Sequence, residues 1–480
     1  MNWRRVLHIL GLVLFVLAAA ELVPLVWALE GGEGRALLGF SSGAALAAFL
    51  GGVFRWLGSR EGELYRRDGV LIVVGAWVMA SLVGAIPYLV SGVLPSPADA
   101  LFESASGFTT TGASVLTDIE AAGRPMLFWR SLTQWLGGIG IVVLFVALLS
   151  ELGPGARFLF KLEVPGPKAE IMHERVRDTA LALGRIYLLL SGLLVVSLLL
   201  CGASLFDALT HTFSTVSTGG FSPHSESAAI FSPVGQMVLI VFMLAAGVNF
   251  SLYFFLIRSR DLRALRDAEL RLYLILMAAA TGLVTVSLYL DGGEGLGGVL
   301  LDAAFQVVSI TTTTGFATAD FSHWPTLSQA LLLGAMVLGG CAGSTSGGAK
   351  ILRGIIGWRA AMREVRLVFS PNSVIAVVAG REAVPEESVR SVVALLVLWF
   401  LAWGLGALLL SIGDFGIVTA ATASIATLSN IGPGLGPVGP AGNFAFFAPW
   451  QKLVMVLLMW LGRLEFFALL ALFQRRFWRP

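Results

Sequence analysis

Short runs of hydroxylated residues closed by glycine are where this sequence can do chemistry: Thr109-Thr110-Thr111-Gly112, Ser217-Thr218-Gly219-Gly220 and Thr311-Thr312-Thr313-Thr314-Gly315. Peptide carbonyls in such runs are hard oxygen donors. Rings of them can replace the hydration shell of a monovalent cation. Each run closes a segment that opens on aspartate: "DALFESASGFTTTG" from Asp99, "DALTHTFSTVSTGG" from Asp207 and "DAAFQVVSITTTTG" from Asp302. A looser fourth copy, "DFGIVTAATASIATLSNIGPG", runs from Asp414 to Gly434. One such run is an ordinary Ser/Thr helix contact; four at matching positions define an internal repeat.

The elements that hold these runs belong in a bilayer. The 480 residues are 56% hydrophobic and 13% charged, with mean hydropathy +0.84 and net charge +2. That composition excludes a soluble domain, and the small net charge excludes nucleic acid as a partner. Apolar runs of spanning length fall at 6–29, 37–57, 69–92, 126–150, 180–203, 233–257, 272–290, 326–358, 388–411 and 450–474. The first has no small-residue cleavage site before Glu30 and reads as a retained span. Lys and Arg concentrate in alternate connections and at both ends, which the positive-inside rule places in the cytoplasm. The four Ser/Thr segments then face outward.

An all-α membrane protein follows, with two extra N-terminal helices (1–66) and four repeats of helix, re-entrant pore loop and helix around a central pore, at 67–160, 161–266, 267–370 and 371–480. Asp at the head of each loop is expected to cap a helix of about ten residues that stops halfway through the membrane. The C-terminal ends of four such helices aimed at one axis favour a cation there. Unpaired backbone at that depth is tolerated only where it lines a cavity. Gly112, Gly219, Gly315 and Gly432 are expected to take positive φ and keep the axis clear of side chains.

The motifs "TTTGAS" at 109–114, "STGGFS" at 217–222, "TTTTGF" at 311–316 and "SNIGPG" at 429–434 resemble the four filter loops of the TrkH/TrkG/KtrB family of bacterial potassium uptake proteins. The resemblance covers nearly the whole chain, and the two extra N-terminal helices favour the TrkH branch. It implies that carbonyls of Thr110, Thr111, Ser217, Thr218, Thr313, Thr314, Asn430 and Ile431 line the ion path, with K⁺ as the transported ion and no organic cofactor. It also implies a homodimer in the lipid of the bacterial inner membrane, with a nucleotide-binding RCK/KTN-type, TrkA-like regulatory ring on the cytosolic side. In plant relatives a serine in place of the first filter glycine accompanies sodium transport; Gly112 makes potassium the expectation here.

Two further features read as a gate. "GGCAGSTSGGAK", 339–350, interrupts the eighth run with Gly339, Gly340, Gly343, Ser344, Thr345, Ser346, Gly347, Gly348 and Lys350. It lacks the serine or threonine and the preceding strand of a phosphate loop. The resemblance implies a mobile intramembrane loop there, moved by the regulatory ring. Arg463, inside the last run, costs about 2.5–3.5 kcal/mol in lipid and so must face the protein interior; the resemblance places it in the pore below the filter. Glu465, two residues on, points elsewhere on a helix.

The remaining polar residues carry weaker signals. His211, His224 and His323 read as solvated residues at the pore mouth, Glu103 as a bundle pairing group, Cys201 and Cys341 as packing residues, and "GEGLGG" from Gly293 as a turn. The charged connections 151–179 and 359–390 are expected to dock a partner. With no His/Asp/Glu cluster for covalent chemistry, the reading is regulated potassium uptake rather than an enzyme. A proton- or sodium-coupled potassium symporter is the alternative.

Overall fold

Peptide groups in hydrocarbon must bond along their own segment, so the apolar runs fold as helices. The computed structural model describes residues 1–151, 176–259, 266–380 and 382–478. The N-terminal unit is α1 (Trp3–Glu21), α2 (Leu25–Glu30) and α3 (Gly34–Leu57). The first repeat has α4 (Arg66–Gly84), α5 (Ile86–Ser91), α6 (Pro97–Phe108) and α7 (Arg124–Glu151). The second has α8 (Val176–Leu200), α9 (Leu205–Val216), α10 (Pro233–Ala246) and α11 (Phe250–Ser259). The third has α12 (Ala268–Leu290), α13 (Leu296–Thr311), α14 (Thr326–Leu338) and α15 (Ile351–Phe369). The fourth has α16 (Glu386–Leu410), α17 (Ile417–Leu428), α18 (Pro449–Arg463), α19 (Phe467–Leu472) and α20 (Arg475–Trp478).

Among the described residues, six helices or helix pairs are long and apolar enough to cross a bilayer, and a seventh if α10 and α11, bent by 91°, count as one span. Leu200 and Leu290 are 84% and 80% exposed, as a lipid-facing surface requires. Inside lie packed aromatics, among them Phe40, Phe102, Trp129 and Phe305. The helices α1 and α3 lie together outside the repeats and lean on α4 and α5. Between α15 and α16 a two-residue hairpin pairs β1 (Val378–Ala379) with β2 (Glu382–Ala383). The other charged connection, 151–179, falls almost wholly outside the described residues.

Four short helices, α6, α9, α13 and α17, run inward and stop. At 12 residues and about 1.5 Å per residue, three of them span roughly half a bilayer. Their starts differ from the sequence expectation, because aspartate caps none of them. Ser96 and Ser204 hold the N-cap positions of α6 and α9, with Asp99 and Asp207 one turn further in, where a carboxylate still favours the helix dipole. The helix α13 starts earlier, after Gly295, because "LGGVLL" extends it, and Asp302 sits mid-helix. Asp414 stands outside α17 at φ 59.

The inner helix that follows each pore loop differs from repeat to repeat. In the first repeat α7 is continuous over 28 residues. The second breaks between α10 and α11, the third between α14 and α15. In the fourth, Glu465 and Phe466 both take φ 57 and end α18 at Arg463. The last apolar run is therefore two helices, not the single span its composition predicts.

Candidate functional site

Each pore helix ends in one and the same backbone motif. In the first loop Thr111 N–H donates to Ser106 O at 2.8 Å and Thr110 N–H to Gly107 O at 2.9 Å. The pairs Gly219 to Ser214 and Thr218 to Thr215, Thr314 to Ser309 and Thr313 to Ile310, and Ile431 to Ala426 and Asn430 to Thr427 repeat it. This is the Schellman termination, which needs a left-handed residue just past the helix. Thr110, Thr218, Thr313 and Asn430 supply it at φ 53, 56, 59 and 54. Two residues later Gly112, Gly220, Gly315 and Gly432 take φ 80, 79, 82 and 100.

That register corrects one expected residue. In the second loop the positive-φ glycine is Gly220, and Gly219 is not left-handed. The set 217–219 becomes 218–220, with Ser217 equivalent to Thr109, Thr312 and Ser429 at the helix cap. Two adjacent glycines offered both registers in sequence; the Schellman bonds select one.

Hydroxyls explain the threonines. Thr109 Oγ1 donates back to Ala105 O at 2.6 Å, Ser217 Oγ to Phe213 O at 2.6 Å and Thr312 Oγ1 to Val308 O at 2.7 Å. Side-chain polarity is thus satisfied on the helix side. The carbonyls of Thr110, Thr111, Thr218, Thr313, Thr314, Asn430 and Ile431 accept no hydrogen bond among the described residues. These residues are buried. Oxygens in that condition suit a desolvated cation as ligand, since an unmet buried carbonyl is costly.

The four loops close on one another in cyclic order. A Cβ on Gly112 would meet Gly219 O, on Gly220 Thr314 O, on Gly315 Ile431 O, and on Gly432 Thr111 O at 3.0 Å. The loops therefore form one ring, and glycine is required at each joint twice over, for φ and for space.

Behind the ring sit polar side chains the sequence reading only partly found. Glu103 pairs with Arg130, Nε to Oε1 at 2.8 Å, and both are buried. Glu103 also accepts from Val115 N–H at 2.9 Å, while Arg130 donates to Ser222 O at 3.1 Å and lies over the Phe221 ring. Gln134 donates to Gly219 O at 2.7 Å and accepts from Phe221 N–H at 3.0 Å. The first two loops are thereby fixed to α7. Glu103 was legible as a pairing group. Arg130 and Gln134 were legible in principle, as polar residues inside an apolar run. His211 departs from expectation: it is fully buried, with Nδ1 near Asp207 O and Nε2 near Ser222 Oγ. His224 pairs with Asp207 at 2.8 Å, and His323 is largely exposed.

Beneath the ring lies the segment 339–350. Ile351 N–H to Gly340 O and Ala349 N–H to Val337 O close its base. Its tip reaches three pore-helix ends: Thr345 Oγ1 donates to Val216 O at 3.1 Å, Gly347 N–H to Thr313 Oγ1 at 2.7 Å, and Gly348 N–H to Ser429 O at 3.0 Å. Arg463 Nη1 donates to Thr345 O at 2.7 Å and Nη2 to Gly137 O of α7 at 3.3 Å. Lys350 Nζ donates to Ser346 O. Glu465, beyond the helix end, pairs with Arg353 at 2.5 Å. Residues 247–250, whose break the sequence does not mark, interlock with this segment through Cys341 N–H to Gly247 O and Phe250 N–H to Gly343 O, both 3.0 Å.

A multi-span helical protein whose four inward-dipping loops form one ring of carbonyls, all but Gly219 O without a hydrogen bond among the described residues, has the design of a cation transport protein. Comparison with known proteins agrees. The profile of the TrkH family, described as cation transport protein, matches residues 39–479. The chain is 38% identical to the Trk system potassium uptake protein TrkH of Salmonella typhimurium (strain LT2) and 37% to that of Escherichia coli (strain K12), covering 100% of each chain in both cases. It is 34% identical to the Trk system potassium uptake protein TrkG of Escherichia coli (strain K12), over 99% of both. It superposes on the crystal structure of the potassium transporter TrkH from Vibrio parahaemolyticus with TM-score 0.89 and 34% identity, over 100% of both chains. The chain belongs to the TrkH family.

Proposed function

We propose that this chain is the ion-conducting subunit of a bacterial Trk-type potassium uptake system, set in the inner membrane with both termini cytoplasmic. The observation that carries the proposal is the ring of four equivalent loops whose carbonyls, Gly219 O apart, accept no hydrogen bond among the described residues. Potassium sheds water to enter and is held by the carbonyls of Thr110, Thr111, Thr218, Thr313, Thr314, Asn430 and Ile431. Gly219 O is shared with Gln134, so the second repeat coordinates more weakly than the others. Four helix C-termini directed at the ring add negative potential. Membrane potential drives the flux: each elementary charge crossing about 100 mV releases about 2.3 kcal/mol, roughly fiftyfold accumulation.

The segment 339–350 is the gate, and Arg463 pins it closed while placing positive charge below the filter. The tip's hydrogen bonds to three pore helices support this reading, since the same bonds that order the tip put it under the ring. The chain acts as a homodimer, and a cytosolic nucleotide-binding RCK/KTN-type ring moves the gate through the basic connections. The test is cation flux into proteoliposomes. A reversal potential that follows the potassium gradient alone is expected. A shift with proton or sodium gradient at fixed potassium overturns the uncoupled reading in favour of a symporter.

A further inference from the structure

A carboxylate from outside the ring holds both ends of the segment beneath it. Glu269 stands in the first turn of α12 and is 6% exposed. Its Oε1 accepts from Ala342 N–H at 2.7 Å and from Leu352 N–H at 3.1 Å. Those donors lie on opposite sides of the tip residues 343–348. Leu352 belongs to the first turn of α15, where free N–H groups need an acceptor. The residue at the N-cap, Lys350, sits at φ 71 and supplies no capping side chain. The start of α15 therefore takes its cap from another helix, and the same oxygen fixes the descending arm of the loop at Ala342.

A buried carboxylate is costly to keep and contributes little unless its bonds are short and complete. Placed at one point across both arms, they favour one loop position over all others.

We propose that Glu269 is the clasp of the gate: a positioning residue that holds segment 339–350 closed by joining its two arms, so that opening requires their release from this carboxylate. The inference rests on the gate reading above. It assigns the hold to α12, away from the filter and from Arg463.

The test uses the full chain in proteoliposomes without cytosolic partner, in a Cys201→Ser background that leaves Cys341 as the single thiol. Cys341 lies in the segment next to Ala342 and is 1% exposed. Glu269→Ala is expected to raise Rb⁺ uptake roughly tenfold, as loss of two hydrogen bonds from the closed state predicts, and to speed modification of Cys341 by a small thiol reagent. Glu269→Gln keeps the acceptor oxygen and is expected to match the parent in both. Glu269→Asp withdraws the oxygen by about 1.5 Å and is expected to fall between; it decides the question if the alanine variant does not fold. Unchanged flux and labelling in the alanine and aspartate variants, or a glutamine variant as open as alanine, overturns the clasp. A Ser344→Gly/Thr345→Gly/Ser346→Gly variant measured alongside separates the two readings. If it conducts freely while Glu269→Ala does not, the clasp alone falls; if neither does, the gate falls.

Discussion

The four pore loops and the four inner helices come from the same repeats, yet they have diverged in opposite ways. The loops keep one backbone path through unlike sequences: TTTG, STGG, TTTTG and SNIG all give a Schellman end, a left-handed residue and a positive-φ glycine. The inner helices share apolar composition but differ in shape: one is continuous, one bends by 91°, one opens for twelve residues and one ends at Arg463. Under the proposed function, equivalence is kept where one ion would meet four similar walls and lost just beneath, where segment 339–350 would lie across its path.

Breaking the symmetric half should have the larger consequence. Gly315→Ser sets a side chain at φ 82 against Ile431 O. Potassium-over-sodium preference in bi-ionic flux is expected to fall by at least about tenfold, equivalent to about 1.4 kcal/mol. Breaking the asymmetric half should change rate and leave preference intact. Arg463→Ala removes the bonds to Thr345 O and Gly137 O, and flux is expected to rise roughly fivefold, the factor for about 1 kcal/mol. A variant that conducts at the parent rate removes Arg463 from the gate.

The register of the second loop sharpens the comparison. Gly220→Ala forces a left-handed alanine onto Thr314 O, whereas Gly219→Ala needs no positive φ and meets the side-chain end of Gln134 rather than backbone. The first should be less stable than the second by about 1 kcal/mol in chemical unfolding; the reverse order would restore the 217–219 register. The smallest effect lies outside the membrane, where Glu120 ties the first outer connection to the second. Bonds from the Ser225 hydroxyl and N–H hold its carboxyl below the usual carboxylate range. A depressed folded-state value means the stabilisation is present above the unfolded value and lost as pH falls through the folded one. Lowering pH from 6 to about 3 should therefore reduce Tm slightly more in the parent than in Glu120→Gln, less so in high salt.

Much of this was legible because membrane helices follow composition closely. The ten apolar runs all reappear with helices in them, three of the runs broken partway, and the four loops announced themselves by repetition. Boundaries set by local competition were not legible. Aspartate marked each pore helix, but Ser96, Ser204 and two glycines start them. The break at 247–249 hid in "GVNF", where a single glycine gives little signal. Arg463 was found by the cost of its charge, whereas Glu269, near the end of a span, resembled an ordinary interfacial carboxylate. Its role appears only when Ala342 and Leu352, far from it in sequence, are brought to it in space.

The proposed function requires carbonyls from all four repeats to hold one dehydrated monovalent cation jointly. Anomalous diffraction from crystals grown in Rb⁺ tests it directly. Density is expected on the common axis, within ligand distance of the carbonyls of Thr110, Thr218, Thr313 and Asn430. Rb⁺ sites only elsewhere, with those four carbonyls bonded to water or protein, would contradict it.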